Sequence, residues 1–357
     1  MQATLLKRID ALAGPLLVRL LPGRRGTAAA APRSLLVIRP GGIGDAVLLI
    51  PALRALQSAH PYCRIEILAE KRNAAAFQLC PGLGAVRRYD EPRELAAVML
   101  GSYDLVIDTE QWYRLSAVIA RMVRADRSIG FDTNERERLF SDPVSYSLQD
   151  YEPFSFFRLL APLQVSPPAE LAVPFLELPQ AARDGAARLL APLGNKPFVA
   201  LFPGASVPQK EWGVENFVQV ALGLAQAGIA VVLVGGPGER PAADVIAREA
   251  AALNLAGEGS LLESAAVIGA SQVLLTGDSG LLHIAAGLGT ATVSLFGPSD
   301  PVKWAPKGRR HLVFSSKLHC APCARWGKIP RCSHEGSCLD ADPAGVVAAL
   351  IRLFSER

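Results

Sequence analysis

"LLVIRPGGIGDAVLLIPAL", residues 35–53, is the stretch on which the fold is read. Leu35 to Ile38 form a continuous apolar run, the pattern of a parallel strand buried on both faces. Gly41, Gly42 and Gly44 crowd the turn behind it, and from Asp45 an apolar helical pattern sets in. Strand, glycine turn and helix open a βαβ unit, and open α/β sheets bind ligands at such turns. Helix starts there offer N–H groups and a positive dipole end to anions. Glycines let backbone approach sugar or phosphate closely. Asp45 has two readings on these grounds. It caps the helix, because aspartate satisfies the orphan N–H groups of a first turn, or it is a catalytic carboxylate. The spacing is G-G-x-G, not the G-x-G-x-x-G of a dinucleotide fingerprint, so the turn alone names no cofactor.

The same alternation continues outward. "CRIEILAE" (63–70) and "YDLVID" (103–108) read as further strands, while residues 113–147 mix charge and aromatics and read as an insertion or loop. Pro-rich "VSPPAELAVP" (165–174) marks a thinning of structure. Helix "QAARDGAARLLAPL" (180–193) leads into a second series of strands at "FVALFPG" (198–204), "IAVVLVGG" (229–236), "QVLLTGD" (272–278) and "ATVSLFG" (291–297). Two βαβ series in tandem predict an α/β protein with two Rossmann-like domains, 33–190 and 191–357, facing a cleft.

A chain of 357 residues suits two domains, and one that is 50% hydrophobic and 20% charged can bury sizeable cores. The net charge of +4 is mild, and no basic run interleaved with aromatics points to nucleic acid. Mean hydropathy is +0.25, but no apolar run approaches the roughly 18–20 residues of a transmembrane helix. Residues 1–32 form a separate arm. Leu5, Ile9, Leu12, Leu16 and Leu20 recur at helical spacing, with Lys7, Arg8, Arg19, Arg24 and Arg25 against one acid, Asp10. Three readings stand: a basic amphipathic helix on an anionic membrane surface, a helix docked on the protein itself, and a secretory signal ending in "TAAAAP" (27–32). Asp10 and Arg19 interrupt the apolar core that a signal needs.

The second series carries more chemistry. "FPGASVPQKEW" (202–212) follows a strand and offers Ser206 and Lys210 to a diphosphate, as a hydroxyl and a point charge. "VGGPGER" (234–240) sets Glu239 where ribose hydroxyls can be held. "TGDSGLLHIAAGLGT" (276–290) places Asp278, Ser279, Gly280 and His283 at a strand end and helix start.

Taken in order, "LLVIRPGGIGDAVLLIPAL", "PGASVPQKEW" and "TGDSGLLHIAAGLGTATVSLFGPSDPVKW" resemble glycosyltransferase family 9, the ADP-heptose:lipopolysaccharide heptosyltransferases. The resemblance covers nearly everything from residue 33. It implies a GT-B fold and inverting transfer of heptose from ADP-heptose to a lipid-linked lipopolysaccharide-core acceptor, without a catalytic metal. The acceptor, lipid A–Kdo or inner core, would lie at the cytoplasmic face of the inner membrane. The resemblance also implies a general-base role for Asp45, which would take the proton of the attacking hydroxyl. It assigns Lys210 to the diphosphate, and Asp278, Gly280, Leu281 and His283 to a D-[TS]-G-x-x-H motif at the nucleotide or sugar. Family members that use other nucleotide sugars or protein acceptors remain alternatives, as does a GT-B protein that binds a nucleotide sugar without transferring it. A Rossmann oxidoreductase would need the spaced glycines that the first turn lacks.

Four further cysteines, Cys320, Cys323, Cys332 and Cys338, crowd "HCAPCARWGKIPRCSHEGSC" (319–338), whereas Cys63 and Cys80 are scattered. C-x2-C spacing and four thiolates suit a structural zinc or iron, with His319 and His334 as substitute ligands. Free thiols and disulfides are the rivals. A nucleotide-sugar enzyme belongs in a reducing compartment, which disfavours disulfides.

Overall fold

The computed structural model describes residues 2–24, 26, 31–316, 318–332 and 337–356, without the side chains of residues 2–7 and 337. Arg25, His334 and most of "TAAAAP" lie outside the described residues, as do the side chains of Leu5 and Lys7. The chain forms two compact units, Met1–Leu171 and Ala172–Arg357.

The first unit contains, in order, α1 (Gln2–Leu20), β1 (Ser34–Arg39), α2 (Ile43–Ala59), β2 (Arg64–Ala69), β3 (Val86–Arg88), α3 (Pro92–Leu100), β4 (Ser102–Asp108), α4 (Arg114–Met122), β5 (Arg124–Phe131), β6 (Asp142–Val144) and α5 (Glu152–Arg158). Its six strands are parallel in the order β3-β2-β1-β4-β5-β6. Leu35 to Ile38 are buried because β1 is central, paired to β2 on one side and β4 on the other. Residues 113–147 are not an insertion. They supply α4, β5 and β6, two of the six strands. The first half of β5, Arg124 to Arg127, is polar and partly exposed, and only Ser128 to Phe131 are buried. No apolar run long enough to announce a strand therefore occurs. Gly130 leaves the space that the Phe140 ring fills; a Cβ there would lie 2.3 Å from the ring.

The arm is part of this unit. α1 packs on α4, with Val18 fully buried in the shared core. Asp10 Oδ1 accepts the Leu115 N–H (2.7 Å) at the start of α4. Arg24 Nη2 donates to the Arg121 and Val123 carbonyls (2.9 and 2.6 Å) at its end. Acid at the N-terminus and base at the C-terminus match the α4 dipole. The self-docked reading therefore describes the inner face of the arm. No helix among the described residues is long and apolar enough to cross a membrane.

The second unit contains α6 (Gln180–Leu190), β7 (Phe198–Phe202), α7 (Val214–Gln226), β8 (Ala230–Leu233), α8 (Arg240–Ala250), β9 (Leu253–Asn254), α9 (Leu261–Ala270), β10 (Val273–Gly277), α10 (Gly280–Leu288), β11 (Ala291–Phe296), α11 (Pro301–Trp304), β12 (His311–Ser315) and α12 (Pro343–Ser355). The strands are again parallel, in the order β12-β11-β10-β7-β8-β9. Val199, Leu201, Val231, Leu275 and Val293 meet Phe217, Val220, Leu224, Val346 and Leu350 from the helices in one core. Residues 172–190, counted above with the first domain, pack here. The Phe175 and Leu176 N–H groups donate to the Gly287 carbonyl (2.9 and 3.1 Å), and α6 lies on α9. The division thus falls after Leu171 rather than near residue 190.

Both sheets share one topology. The first strand of each lies between the second and the fourth, so the order reverses at β1/β4 and again at β7/β10. Ligands of open α/β sheets bind outside the carboxyl ends of strands at such reversals.

Candidate functional site

At the reversal of the first sheet the chain gathers charge that it does not expose. Arg39, the last residue of β1, is buried. Its Nη1 donates to the Thr109 carbonyl (2.9 Å), its Nη2 to Glu110 Oε2 (3.1 Å) and its Nε to the Pro40 carbonyl (2.5 Å). Arg136 Nη2 pairs with Asp108 Oδ2 at 2.6 Å, both side chains fully buried. Glu152 accepts from Gln111 Nε2 (2.6 Å) and from the Tyr146 hydroxyl (2.9 Å). Buried charges persist only when paired and hydrogen-bonded, and these are. Burial works against the Arg39 charge, but Asp45, Glu110, Glu152 and Asp108 outweigh it and hold the guanidinium above its usual pKa. Burial pushes the Glu110 carboxyl up, against the opposing pull of Arg39 and Arg136.

This charge surrounds the glycine turn. The Gly41 N–H donates to Glu70 Oε1 (3.1 Å), which also accepts the Tyr89 hydroxyl (2.8 Å). Asn73 Nδ2 donates to the Arg39 carbonyl (3.1 Å). Gly41 has φ +109°, and a Cβ there would lie 3.1 Å from Arg39 Nη2 and 3.2 Å from Asp45 Oδ2. A side chain at 41 would therefore be both strained and wedged between guanidinium and carboxylate. Gly42 is the N-cap of α2, and Gly44 lies in its first turn.

Asp45 is the third residue of α2, not its cap. Its Oδ2 reaches back to accept the Gly42 N–H (3.1 Å), half of a capping box. Oδ1 accepts no hydrogen bond from any described residue. Capping therefore occupies one carboxylate oxygen and leaves the other.

The second reversal holds another ion pair. Lys210 Nζ lies 2.5 Å from Asp278 Oδ2, joining the loop after β7 to the end of β10. Burial alone would raise the Asp278 pKa. Lys210, His283 and a hydrogen bond from the Ser299 hydroxyl outweigh it and hold the carboxyl below the usual range. Ser279 caps α10, its Oγ accepting the Leu282 N–H (3.4 Å) and sharing a 2.9 Å bond with Thr276 Oγ1. Gly280 and Leu281 open that helix, where N–H groups lack intrahelical acceptors. His283 is buried one turn in. Lys210, Asp278, Ser279 and the α10 start thus stand together. Ser206 lies exposed on the same loop as Lys210. Glu239 is turned inward: its Oε2 accepts the Gly236 N–H (2.7 Å), and its Cγ occupies the space left by Gly204.

Arg39, Glu70 and Ser299 were not among the site residues expected from sequence. A lone arginine closing an apolar strand was the available signal for Arg39. Glu70 and Ser299 carry none, since hydrogen bonding across strands assigns their place.

The cysteine segment is anchored beside this second site. The Cys323 and Ala324 N–H groups donate to the Pro298 carbonyl (3.0 and 2.8 Å), and Cys338 Sγ sits where a Cβ on Gly297 would lie, 2.9 Å away. Burial, then the neighbouring thiols, push the Cys323 and Cys338 pKa values up. Among the described residues no three His, Cys, Asp or Glu groups stand in a metal-holding arrangement.

The chain is similar to known proteins. The glycosyltransferase family 9 (heptosyltransferase) model matches residues 93–334. A family 9 glycosyl transferase from Veillonella parvula shares 19% identity with a TM-score of 0.76, over 91% of this chain and 98% of that one. The E. coli ADP-heptose lps heptosyltransferase II shares 22% identity with a TM-score of 0.75, over 90% and 99%. The iron-containing heptosyltransferase TibC of E. coli, solved with ADP-D-beta-D-heptose, shares 15% identity with a TM-score of 0.57, over 92% and 78%. No curated protein sequence matches the chain. The two parallel six-stranded sheets are those of a GT-B glycosyltransferase. With a family model matched over more than half of its length, the chain belongs to glycosyltransferase family 9, the heptosyltransferases.

Proposed function

We propose that the protein transfers heptose from ADP-heptose, with inversion, to a lipid-linked lipopolysaccharide-core acceptor at the cytoplasmic face of the inner membrane. The observation that carries this reading is the unshared Oδ1 of Asp45, set at a reversal point where a ligand hydroxyl would lie. In the proposed step the acceptor hydroxyl attacks the anomeric carbon while Oδ1 takes its proton. The sugar–phosphate bond breaks and ADP leaves. Lys210 and the N–H groups opening α10 meet the charge on the departing diphosphate. Lys210 would exchange some of its contact with Asp278 for phosphate oxygens. Charge is thus handled by protein groups, and no metal is needed for transfer. Similarity to a protein solved with ADP-D-beta-D-heptose supports the donor.

The four cysteines supply the ligand type that structural zinc or iron takes, and an ion would have to draw them together from the separated positions described above. Their thiolates would bind the ion, and Pro298 and Gly297 would seat the segment. The test of the whole reading is direct. The protein is incubated with ADP-heptose and heptose-deficient core lipopolysaccharide, and the products are examined by mass spectrometry and NMR. Addition of one heptose with inverted anomeric configuration is expected. Absence of ADP release with that acceptor, or turnover of a UDP-sugar instead, refutes it.

A further inference from the structure

The N-terminal helix is the motif that transfer chemistry leaves unused. Its inner face is accounted for: Asp10, Gly14 and Val18 are buried. Its outer face carries Ile9, Leu12, Leu16 and Leu20, which are 41, 84, 59 and 69% exposed. Steps of three and four residues align them along one side of the helix, opposite the buried set. Singly exposed leucines need no explanation, but an unbroken row does.

Basic groups gather at one end of this row. Arg19 is exposed beside Leu20. Arg121 Nε donates to the Pro22 carbonyl (2.7 Å), and the exposed Arg138 has its backbone carbonyl against Gly23, while Arg24 is taken up by the end of α4. Arg8 is exposed toward the other end. The single acid of α1, Asp10, is spent on the α4 N-terminus. Glu135 offsets only Arg19, at 3.1 Å.

We infer that this face of α1 docks on an anionic lipid bilayer, with the leucine row below the headgroups and the arginines among them. A row of leucines beside arginines is the pattern of helices that lie in a membrane interface. A second copy of the chain is the poorer occupant. Its α1 would bring basic residues at both ends and no exposed acid to meet them. Because α1 is clamped to both ends of α4, the surface it meets holds the first unit in one orientation rather than on a tether.

The test uses the full-length protein, since removing the arm would also remove Val18 from the core. Flotation is measured with vesicles of phosphatidylglycerol and phosphatidylcholine, and with phosphatidylcholine alone. The parent should float with the anionic vesicles and be released by salt. Leu12→Glu with Leu16→Glu should weaken binding about tenfold or more, and Arg19→Gln about fivefold. Both variants should keep the parent melting temperature and ADP affinity, so the result is independent of whether transfer is confirmed. Equal flotation of the double variant, or no flotation of the parent, overturns the inference. A parent dimer that the double variant dissociates, without vesicle binding, also overturns it and names a second copy as the occupant.

Discussion

Replacing Asp45 separates its two oxygens. Oδ2 accepts the Gly42 N–H at 3.1 Å, and the amide oxygen of an asparagine in its place could make the same bond. Asp45→Asn thus loses a charge near a helix N-terminus but keeps the cap, at a cost of about 0.3–1 kcal/mol. Arg39 remains paired with Glu110 and surrounded by Asp108 and Glu152, so its burial is still compensated. In a unit of 171 residues, that cost lowers the melting temperature by about 1–4 °C. Asp45→Ala also loses the cap, a further cost of about 0.5–2 kcal/mol. Stability should therefore fall in the order parent, asparagine variant, alanine variant. Turnover should not follow that order. Both variants lose the proton acceptor, and both should fall by roughly 10²-fold or more. ADP affinity, proposed to depend on Lys210 and the α10 start, should be unchanged. Calorimetry gives the melts and the affinity, and ADP release gives turnover. An asparagine variant that turns over within about threefold of the parent, at the general-base scale expected here, would reduce Asp45 to a capping residue.

Three other outcomes are expected. Gly41→Ala should lower stability by about 1–3 kcal/mol through its positive φ, and should reduce turnover because its Cβ intrudes between Arg39 and Asp45; Gly42→Ala, at φ −80°, should lack the backbone cost. Lys210→Met should weaken ADP binding and cost about 2–4 kcal/mol at neutral pH by stranding Asp278. The Asp278 pKa is depressed in the folded parent, so the pair's contribution is complete above the usual carboxylate pKa and is lost as pH falls through the folded value. The stability gap between variant and parent should accordingly narrow below about pH 4 in thermal melts. Purified protein should hold about one equivalent of zinc or iron, lost with Cys320→Ser and Cys323→Ser along with some thermal stability. Metal-free protein of unchanged stability would leave the cysteines as plain thiols.

The central strands were legible because parallel strands buried on both faces leave continuous apolar runs, as at Leu35–Ile38 and Val273–Leu275. The outer strands were not. β5 is half polar, β6 and β3 span three residues, and β9 spans two. Their pairing depends on neighbours distant in sequence, and no local period records it. The glycine turns pointed to the places where Asp45, Lys210 and Asp278 stand, since a reversal of strand order follows from the βαβ connections. The buried scaffold around them was hidden: Glu70 meets Gly41 across 29 positions, and Arg136 meets Asp108 across 28. The same limit applies to Glu239. Its spacing after β8 suits a ribose contact, yet the small size of Gly204 and Gly236 lets its carboxylate fold back onto the loop.

The seating of the cysteine segment brings two parts of the molecule within one peptide unit of each other. The carbonyl of Pro298 takes the N–H groups of Cys323 and Ala324, and the next residue, Ser299, is among the groups that hold the Asp278 pKa down. Asp278 in turn holds Lys210. A change of state at these thiols, by oxidation, alkylation or an ion, is therefore expected to reach the Lys210–Asp278 pair through the backbone at Pro298 and Ser299. With Lys210 at the diphosphate as proposed, chemistry at the thiols would be a handle on nucleotide affinity that leaves Lys210 and Asp278 themselves unaltered.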